Sequence, residues 1–252
     1  MAEPQSRHPI AGPEPAWLRR HRLLWVAPAH HDAVGAEIPD ASLRKTVANW
    51  LAADRPLVVR QQTDAHARDG QRTRVAVGMP LPRAQGKQRA AFAVAPEWIA
   101  HTAPPPFLRD ALSRLPESWS APLLRLVQRA DAIDLVLRVF GSVAWESLTG
   151  SSYLTPESDV DLLWQPSTRN QLAAAIATLA AWETESGLRA DGEILFGDDD
   201  AVSWREWMHG DQDKKIASTR VLVKALSGPR LEARAELLAS LPTCDTAVCE
   251  AA

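Results

Sequence analysis

The alternation of apolar and polar positions divides the chain into two halves with different rhythms. Near the amino terminus, Leu23 to Pro28 (LLWVAP) is a short apolar run of strand character. Ser42 then stands as the expected N-cap of an amphipathic helix reaching about Ala53, with Leu43, Val47, Trp50 and Leu51 on one face. LVVRQQ from Leu57 and RVAVGM from Arg74 are strand candidates, the second placing Val75 and Val77 on one side, and AAFAV closes this sheet-like region. Between Pro80 and Arg89 the segment PLPRAQGKQR is a basic loop rich in Pro and Gly. Pro104, Pro105 and Pro106 then break the pattern as a linker would.

Helical segments from Phe107 to Leu115 and from Pro122 to Ala130 lead into the second half. This half reads strand, turn, helix, strand, helix, strand. LVLRVF (Leu135 to Phe140) ends in Gly141–Ser142, and VAWESL continues as a helix stopped by Gly150. Pro156 and Ser158 turn the chain into the strand DVDLLW. Ser167 or Thr168 caps a long helix through Trp182 that ends at Gly187. LRADGEILF and AVSWREW flank GDDD as a hairpin with an exposed tip, VLVKAL is a strand or part of a helix, and a last helix runs from Leu231 to about Leu241. The expected organisation is a flexible leader over 1–18, a smaller α+β domain over 19–120, and an α/β (α+β) domain with a mixed sheet and flanking helices over 121–252.

Composition narrows the class. Hydrophobic residues at 46% and charged residues at 23% describe an ordinary globular chain, and 252 residues suit two compact domains. The longest charge-free apolar stretch, Leu172 to Trp182, is too short to span a bilayer, and residues 1 to 16 carry no apolar export signal. A cytoplasmic protein is the expectation. Cys244 and Cys249 both lie in the last nine residues, where they cannot staple a core. Residues 1–120 carry 16 Lys and Arg against 11 Asp and Glu, a balance of +5. Residues 121–252 carry 12 against 20, a balance of −8, which together give the net −3. One half could meet an anion and the other hold cations.

The candidate chemistry sits in the acidic half. On a strand, Asp159 and Asp161 project to one side while Val160 and Leu162 enter the other. Two such carboxylates repel, and a pair of hard divalent cations is a natural counter-charge; Mg²⁺ takes carboxylates together with substrate phosphate oxygens. Gly141 and Ser142, at a strand-to-helix turn, would let a phosphate approach the backbone and the helix N-terminus. A third acid comes from Asp191 or Glu193. Asp191 is favoured for its shorter side chain between small residues, with Glu193 in reserve. The apolar run LLW directly after the Asp pair marks a central strand, where unpaired acids are costly.

This set, a Gly-Ser turn, Asp-x-Asp on the next strand and an acid on a third, resembles the nucleotidyltransferase superfamily. The insert TGSSYLTPES makes its Gly-Ser to Asp interval longer than usual there. The string VFGSVAWESLTGSSYLTPESDVDLLW further resembles the malonate decarboxylase holo-acyl-carrier-protein synthases, also called phosphoribosyl-dephospho-CoA transferases. The likeness continues through RADGE, VSWREWM and VLVKAL, and more weakly through RHRLLWV, PLVVRQQ and VAVGMPLP.

The resemblance implies a nucleotidyltransferase-like carboxy-terminal domain. It also implies transfer of the phosphoribosyl-dephospho-CoA group from 2′-(5″-triphosphoribosyl)-3′-dephospho-CoA to a serine of the apo acyl carrier subunit of malonate decarboxylase, with release of pyrophosphate. In that scheme Asp159, Asp161 and Asp191 are the catalytic and metal-holding residues for two Mg²⁺ ions, and Gly141 and Ser142 grip the departing phosphates. Neither a membrane nor a nucleic acid is expected as partner. The alternatives are transfer of AMP or a related nucleotide to another acceptor, including the citrate lyase carrier, and a non-catalytic carrier-binding module.

The local excess of Arg60, Arg68, Arg72, Arg74, Arg83, Lys87 and Arg89 could steer an acidic carrier or a phosphate-bearing donor, although any one of them is as readily a solvated side chain. Lys224 could reach a phosphate or lie on a helix surface. His30, His31 and His209 read as surface residues, and Trp145, Trp204 and Trp207 as core rather than base-stacking platforms.

Overall fold

A computed structural model describes residues 15–62, 68–69, 72–81, 89–197, 199–210 and 219–243. Most of the basic loop, the acids beyond His209 and both cysteines lie outside the described residues, as does residues 1–14 of the expected leader. Trp17 and Leu18, which also fall within that leader, pack on the first core.

The amino-terminal half is an antiparallel sheet with two helices. Its strands are β1 (Leu23–Val26), β2 (Leu57–Val59), β5 (Val75–Pro80), β6 (Arg89–Val94) and β7 (Ile99–Ala103), in the spatial order β6-β5-β2-β1-β7. A two-residue pair, β3 (Arg68–Asp69) with β4 (Arg72–Thr73), stands apart. Helices α1 (His31–Ala36) and α2 (Ala41–Ala52) supply Val34, Val47, Trp50 and Leu51 to the core. The N-cap of α2 is Asp40 rather than Ser42: the Asp40 carboxylate accepts the Leu43 N–H at 2.6 Å.

The second core starts at Leu108, in the short helix α3 (Leu108–Ala111), and residue 120 lies within α4 (Glu117–Asp131). Its sheet runs β13-β12-β11-β10-β9-β8, comprising β8 (Arg138–Val139), β9 (Val160–Trp164), β10 (Ala190–Phe196), β11 (Asp200–Ser203), β12 (Arg220–Ala225) and β13 (Gly228–Ala233). All neighbours are antiparallel except β9 and β10. These two parallel strands are joined by α6 (Arg169–Ser186), whose N-terminus is capped by the Thr168 hydroxyl and whose C-terminus turns at Gly187 with φ of 70°. The fold is therefore mixed α and β, with α5 (Gly141–Thr149), α7 (Trp204–Gly210) and α8 (Arg234–Ala239) completing the helices among the described residues.

Three expected elements differ. WREW belongs to α7, not to a strand, because Trp204 and Trp207 stand three residues apart on one helical face and are both buried. The last helix begins at Arg234, not Leu231: Gly228 takes φ of 131°, and the following residues turn back to pair with β12, Leu231 opposite Leu222. The GDDD segment is not a free tip. Asp200 forms a two-pronged pair with Arg230 at 2.8 and 2.6 Å, and the Asp199 carboxylate accepts the backbone N–H groups of Arg20 and Leu226.

One face of the second sheet is filled by α4, α6 and α7. Val160, Leu162 and Trp164 on β9 meet Ala190, Ile194 and Phe196 on β10 in this layer. The opposite face is turned to the amino-terminal half. Trp145 of α5, Tyr153 and Leu226 are buried in the first core, with Trp145 edge-on to Trp50 at 5.6 Å between ring centres. Trp145 is thus part of the packing between the halves.

Glu146 fixes the start of the long insert. Its buried carboxylate accepts the Tyr153 and Leu154 backbone N–H groups at 2.9 and 2.8 Å. Replacing Glu146 by Ala strands both donors, and each buried unsatisfied N–H costs roughly 1–3 kcal/mol. Urea unfolding of Glu146→Ala is expected to give a stability loss of about 3 kcal/mol; a loss below about 0.5 kcal/mol would show that the two N–H groups do not depend on it.

Candidate functional site

The parallel register of β9 and β10 sets Asp161 directly opposite Asp191. Both lie on the face away from the helices, because their neighbours Val160, Leu162 and Ala190 are fully buried on the other side. Beside them α5 begins. Phe140 donates its N–H to the Asp161 carbonyl at 3.0 Å, which brings Gly141 against the Asp161 side chain. Gly141 has φ of 60°, and a Cβ there would stand 1.8 Å from Asp161 Oδ2. Only glycine allows the helix to start this close to the acid. The Asp161 carboxylate accepts the Ser142 backbone N–H.

This setting strains the charge on Asp161. Burial, the Asp191 charge and the Asp159 charge together push its carboxyl from 3.8 up to about 7, against the smaller opposing effects of Arg89 and the Ser142 N–H. The structure thus brings Asp161, Asp191, Gly141 and Ser142 together. Asp159 stands just before β9 at the rim, where its carboxylate faces Arg189 at 3.6 Å.

Among the described residues, no group of three or more His, Cys, Asp or Glu side chains is gathered around a single point as a metal cage would be. Two crowded hard-oxygen carboxylates, with substrate phosphates to complete the shell, are nonetheless the donor set that Mg²⁺ takes. With Asp161 and Asp191 facing each other across the strand pair, the residues present fit such an ion.

Glu193 has another occupation. It is buried, and its carboxylate is shared by His21 at 2.9 Å, Arg20 at 3.1 Å and Lys224 at 3.0 Å. Burial alone would raise its proton affinity, but His21 and Arg20 overcome this and hold the carboxyl well below the usual range. Lys224, on β12, is therefore neither a helix-surface lysine nor unengaged. His21, with φ of 62°, also packs its ring on Phe140 at 4.1 Å, so the amino-terminal half forms one wall of the site. Arg20 and His21 were not singled out by sequence. The available signal was the run Arg19-Arg20-His21-Arg22 directly before a strand.

The basic cluster separates as well. The Arg89 charge reaches Asp161. Arg74 is instead buried, paired with Glu37 at 2.5 Å and stacked over Trp98. Arg83 and Lys87 lie outside the described residues, as do the side chains of Arg68 and Arg72. His31 donates from its ring to the Val26 carbonyl of the first strand, and His209 meets the Arg205 carbonyl within its own helix. Trp204 and Trp207 are in the second core.

Comparison with known proteins gives a consistent result over nearly the whole chain. Family models for the phosphoribosyl-dephospho-CoA transferase MdcG match in two parts, the N-terminal domain over residues 19–105 and the C-terminal domain over residues 107–235. A protein of Xanthomonas campestris pv. campestris (strain 8004) named phosphoribosyl-dephospho-CoA transferase is 39% identical over 221 residues, covering 86% of this chain and 95% of its own. Proteins of the same name from Bradyrhizobium diazoefficiens and Pseudomonas syringae pv. tomato are 35% and 31% identical. They cover 82% and 84% of this chain, and 86% and 90% of their own. No solved structure matches.

The strained acid makes stability depend on pH. The folded protein holds a proton on Asp161 up to about pH 7, whereas the unfolded chain loses it near 3.8. Stability is therefore fullest below the unfolded value and falls as pH rises through the folded one, by an amount on the order of 4 kcal/mol. In EDTA, Asp161→Asn should be more stable than the parent protein at pH 8, by up to about 4 kcal/mol, with the gap closing toward pH 4. Urea unfolding across that range checks it, and a gap independent of pH would show that the Asp161 charge is not the source.

Proposed function

The chain belongs to the phosphoribosyl-dephospho-CoA transferase family and is a transferase, and on that premise we propose that it arms an acyl carrier protein. The donor is 2′-(5″-triphosphoribosyl)-3′-dephospho-CoA and the acceptor a serine of the apo acyl carrier subunit of malonate decarboxylase, met in the cytoplasm. The serine oxygen bonds to the phosphorus nearest the ribose. The bond from that phosphorus to its bridging oxygen breaks, pyrophosphate leaves, and a phosphodiester joins the group to the carrier. Chemically this is nucleotidyl transfer with a protein hydroxyl as nucleophile.

The observation that carries this reading is the register pairing of Asp161 with Asp191 beside the Gly141–Ser142 helix start. Asp161 and Asp191, with Asp159 at the rim, would hold the Mg²⁺ ions, two in the full scheme. When bound, these supply charge neutralisation on the triphosphate and on the attacking oxygen. Asp191 faces the incoming serine and takes its proton. Gly141 lets α5 start against Asp161, so that the departing phosphates pass beside the helix start, where the Ser142 hydroxyl donates to them. Arg89 adds positive charge on the donor's side of the acids. Because the group transferred is already activated by its triphosphate, the protein's part is positioning and electrostatics.

Intact-protein mass spectrometry tests the reaction directly. Apo malonate decarboxylase carrier incubated with the protein, donor and Mg²⁺ should gain the mass of the phosphoribosyl-dephospho-CoA group. Asp161→Asn and Asp159→Asn should slow that gain by at least about 10²–10³-fold, the usual effect of losing an electrostatic element in such a centre. Modification of the citrate lyase carrier alone would move the acceptor assignment. Absence of any transfer with a folded protein and intact donor would sink the reading.

A further inference from the structure

Beyond the acids, the same sheet face continues into a cavity of about 240 Å³ where the two halves of the molecule meet. Arg22 of the amino-terminal half and Arg138 of β8 line it, over a floor formed by Leu163, Leu195 and Ala201. Arg22 is held by the Thr102 hydroxyl at 3.2 Å, and Arg138 by the Pro105 carbonyl at 2.6 Å and the Phe107 ring at 3.9 Å. All of these partners are neutral. Neither guanidinium has a carboxylate within ion-pair distance among the described residues. Burial and then the neighbouring Arg22 charge lower the pKa of Arg138, with Asp110 pulling weakly the other way, so the two cations crowd one another.

The one acid lining the cavity among the described residues, Asp199, already accepts two backbone N–H groups. Two fixed, planar, half-buried guanidiniums with no anion between them call for one.

The surroundings say what kind. A second cavity of about 420 Å³ shares Arg138, Leu163, Gln165 and Leu195 with the first and extends along the apolar side chains of Val136 and Pro166. Concave, mostly apolar space with a few aimed polar groups suits a small ligand rather than a protein surface. Position matters too. Leu163 follows Asp161 by two residues and Leu195 follows Asp191 by four, all on one face, which places the cavity roughly 7–13 Å from the acid pair along the strands. A ligand bearing one polyphosphate at the acids and a second, diphosphate group two linked sugars away would span both.

We propose that this arginine-lined cavity is a diphosphate subsite, holding the 5′-diphosphate of the donor's dephospho-CoA half while the adjoining apolar space takes its adenine. The assignment rests on the function proposed above, and it gives the amino-terminal half a role in choosing the donor. Arg22 and Arg138 read the diphosphate, so the triphosphate can be presented to Asp161 and Asp191 in one orientation.

Calorimetric titration with dephospho-CoA in EDTA, where no metal contributes, isolates the subsite. The parent protein should bind it. Arg22→Gln and Arg138→Gln, each melting within a few degrees of the parent, should bind at least tenfold more weakly. Arg129→Gln, which removes a charge paired with Glu185 elsewhere, should bind like the parent. Adenosine, lacking the diphosphate, should bind weakly and without regard to the arginines. Undiminished dephospho-CoA affinity in both folded arginine variants, or no binding to the parent, overturns the subsite. Carrier modification measured in parallel separates the two readings. If it proceeds while either of those results holds, the transfer function stands and only the cavity assignment falls; if it fails with an intact donor while the arginine-dependent binding holds, the cavity stands and the transfer reading falls.

Discussion

Parallel pairing of Val160–Trp164 with Ala190–Phe196 is the constraint on which the functional face depends. With a side-chain period of two, that register commits every odd position on both strands at once. Asp161 must oppose Asp191, and Leu163 must oppose Glu193, because Val160, Leu162, Ala190 and Ile194 are buried against the helices. A slip of one residue would put two carboxylates into an apolar core, at a cost no local interaction could offset. The apolar side of the sheet therefore specifies the acidic side. Gly141 then acts as a spacer: with no Cβ it lets the start of α5 close on Asp161, so the acid, the helix N-terminus and Ser142 share one small volume.

Two acids on the same strand, two residues apart, have opposite fates because of what reaches them. Glu193 is buried and surrounded by Arg20, His21 and Lys224, three donors from two different parts of the chain. A buried carboxylate with this many cationic partners is a structural tie, and removing Glu193 itself would leave those cations without their counter-charge. Asp191 has no such cationic cage among the described residues; its Oδ1 accepts the N–H of Gly192. Its shorter side chain and its lack of such partners both support the proposed choice of Asp191 over Glu193. The tie at Glu193 also anchors His21 beside Phe140, so the donor-facing wall and the acids are held as one unit.

Much of this was legible because it is local. The strand, Gly-Ser turn, helix and Asp-Val-Asp strand follow in order within about thirty residues, and caps such as Thr168 and Gly187 act on their own helix. Where the sequence reading departs from the structure, a distant partner decides. Asp40 and Ser42 are both good caps, and only the observed geometry selects Asp40. AVSW alternates like a strand, yet burial of Trp204 and Trp207 together turns the chain into a helix at that point. The strand Gly228–Ala233 has little apolar character of its own and exists because it pairs with Arg220–Ala225. Arg74 looks like a member of a basic surface patch until Glu37 and Trp98 enclose it. Arg20, Arg22 and Arg138 gain meaning only when the two halves meet.

That meeting explains the uneven charge. The carboxy-terminal half places its acids on one sheet face, and the excess of bases in the amino-terminal half supplies cations to that same face: Arg20 and His21 at Glu193, Arg89 toward Asp161, and Arg22 beside Arg138. Compensation is complete at Glu193 and incomplete on either side of it. Toward one end the surplus is negative, at Asp161 and Asp191; toward the other it is positive, at Arg22 and Arg138. A face with an anionic end, a tied centre at Glu193 and a cationic end matches the long polyanionic donor proposed above, whose two phosphate groups need different treatment. In that proposal one would be drawn to cations held by the acids and the other directly to guanidinium. Between the two ends, Arg20 and Lys224 are already engaged by Glu193 rather than by the acid pair.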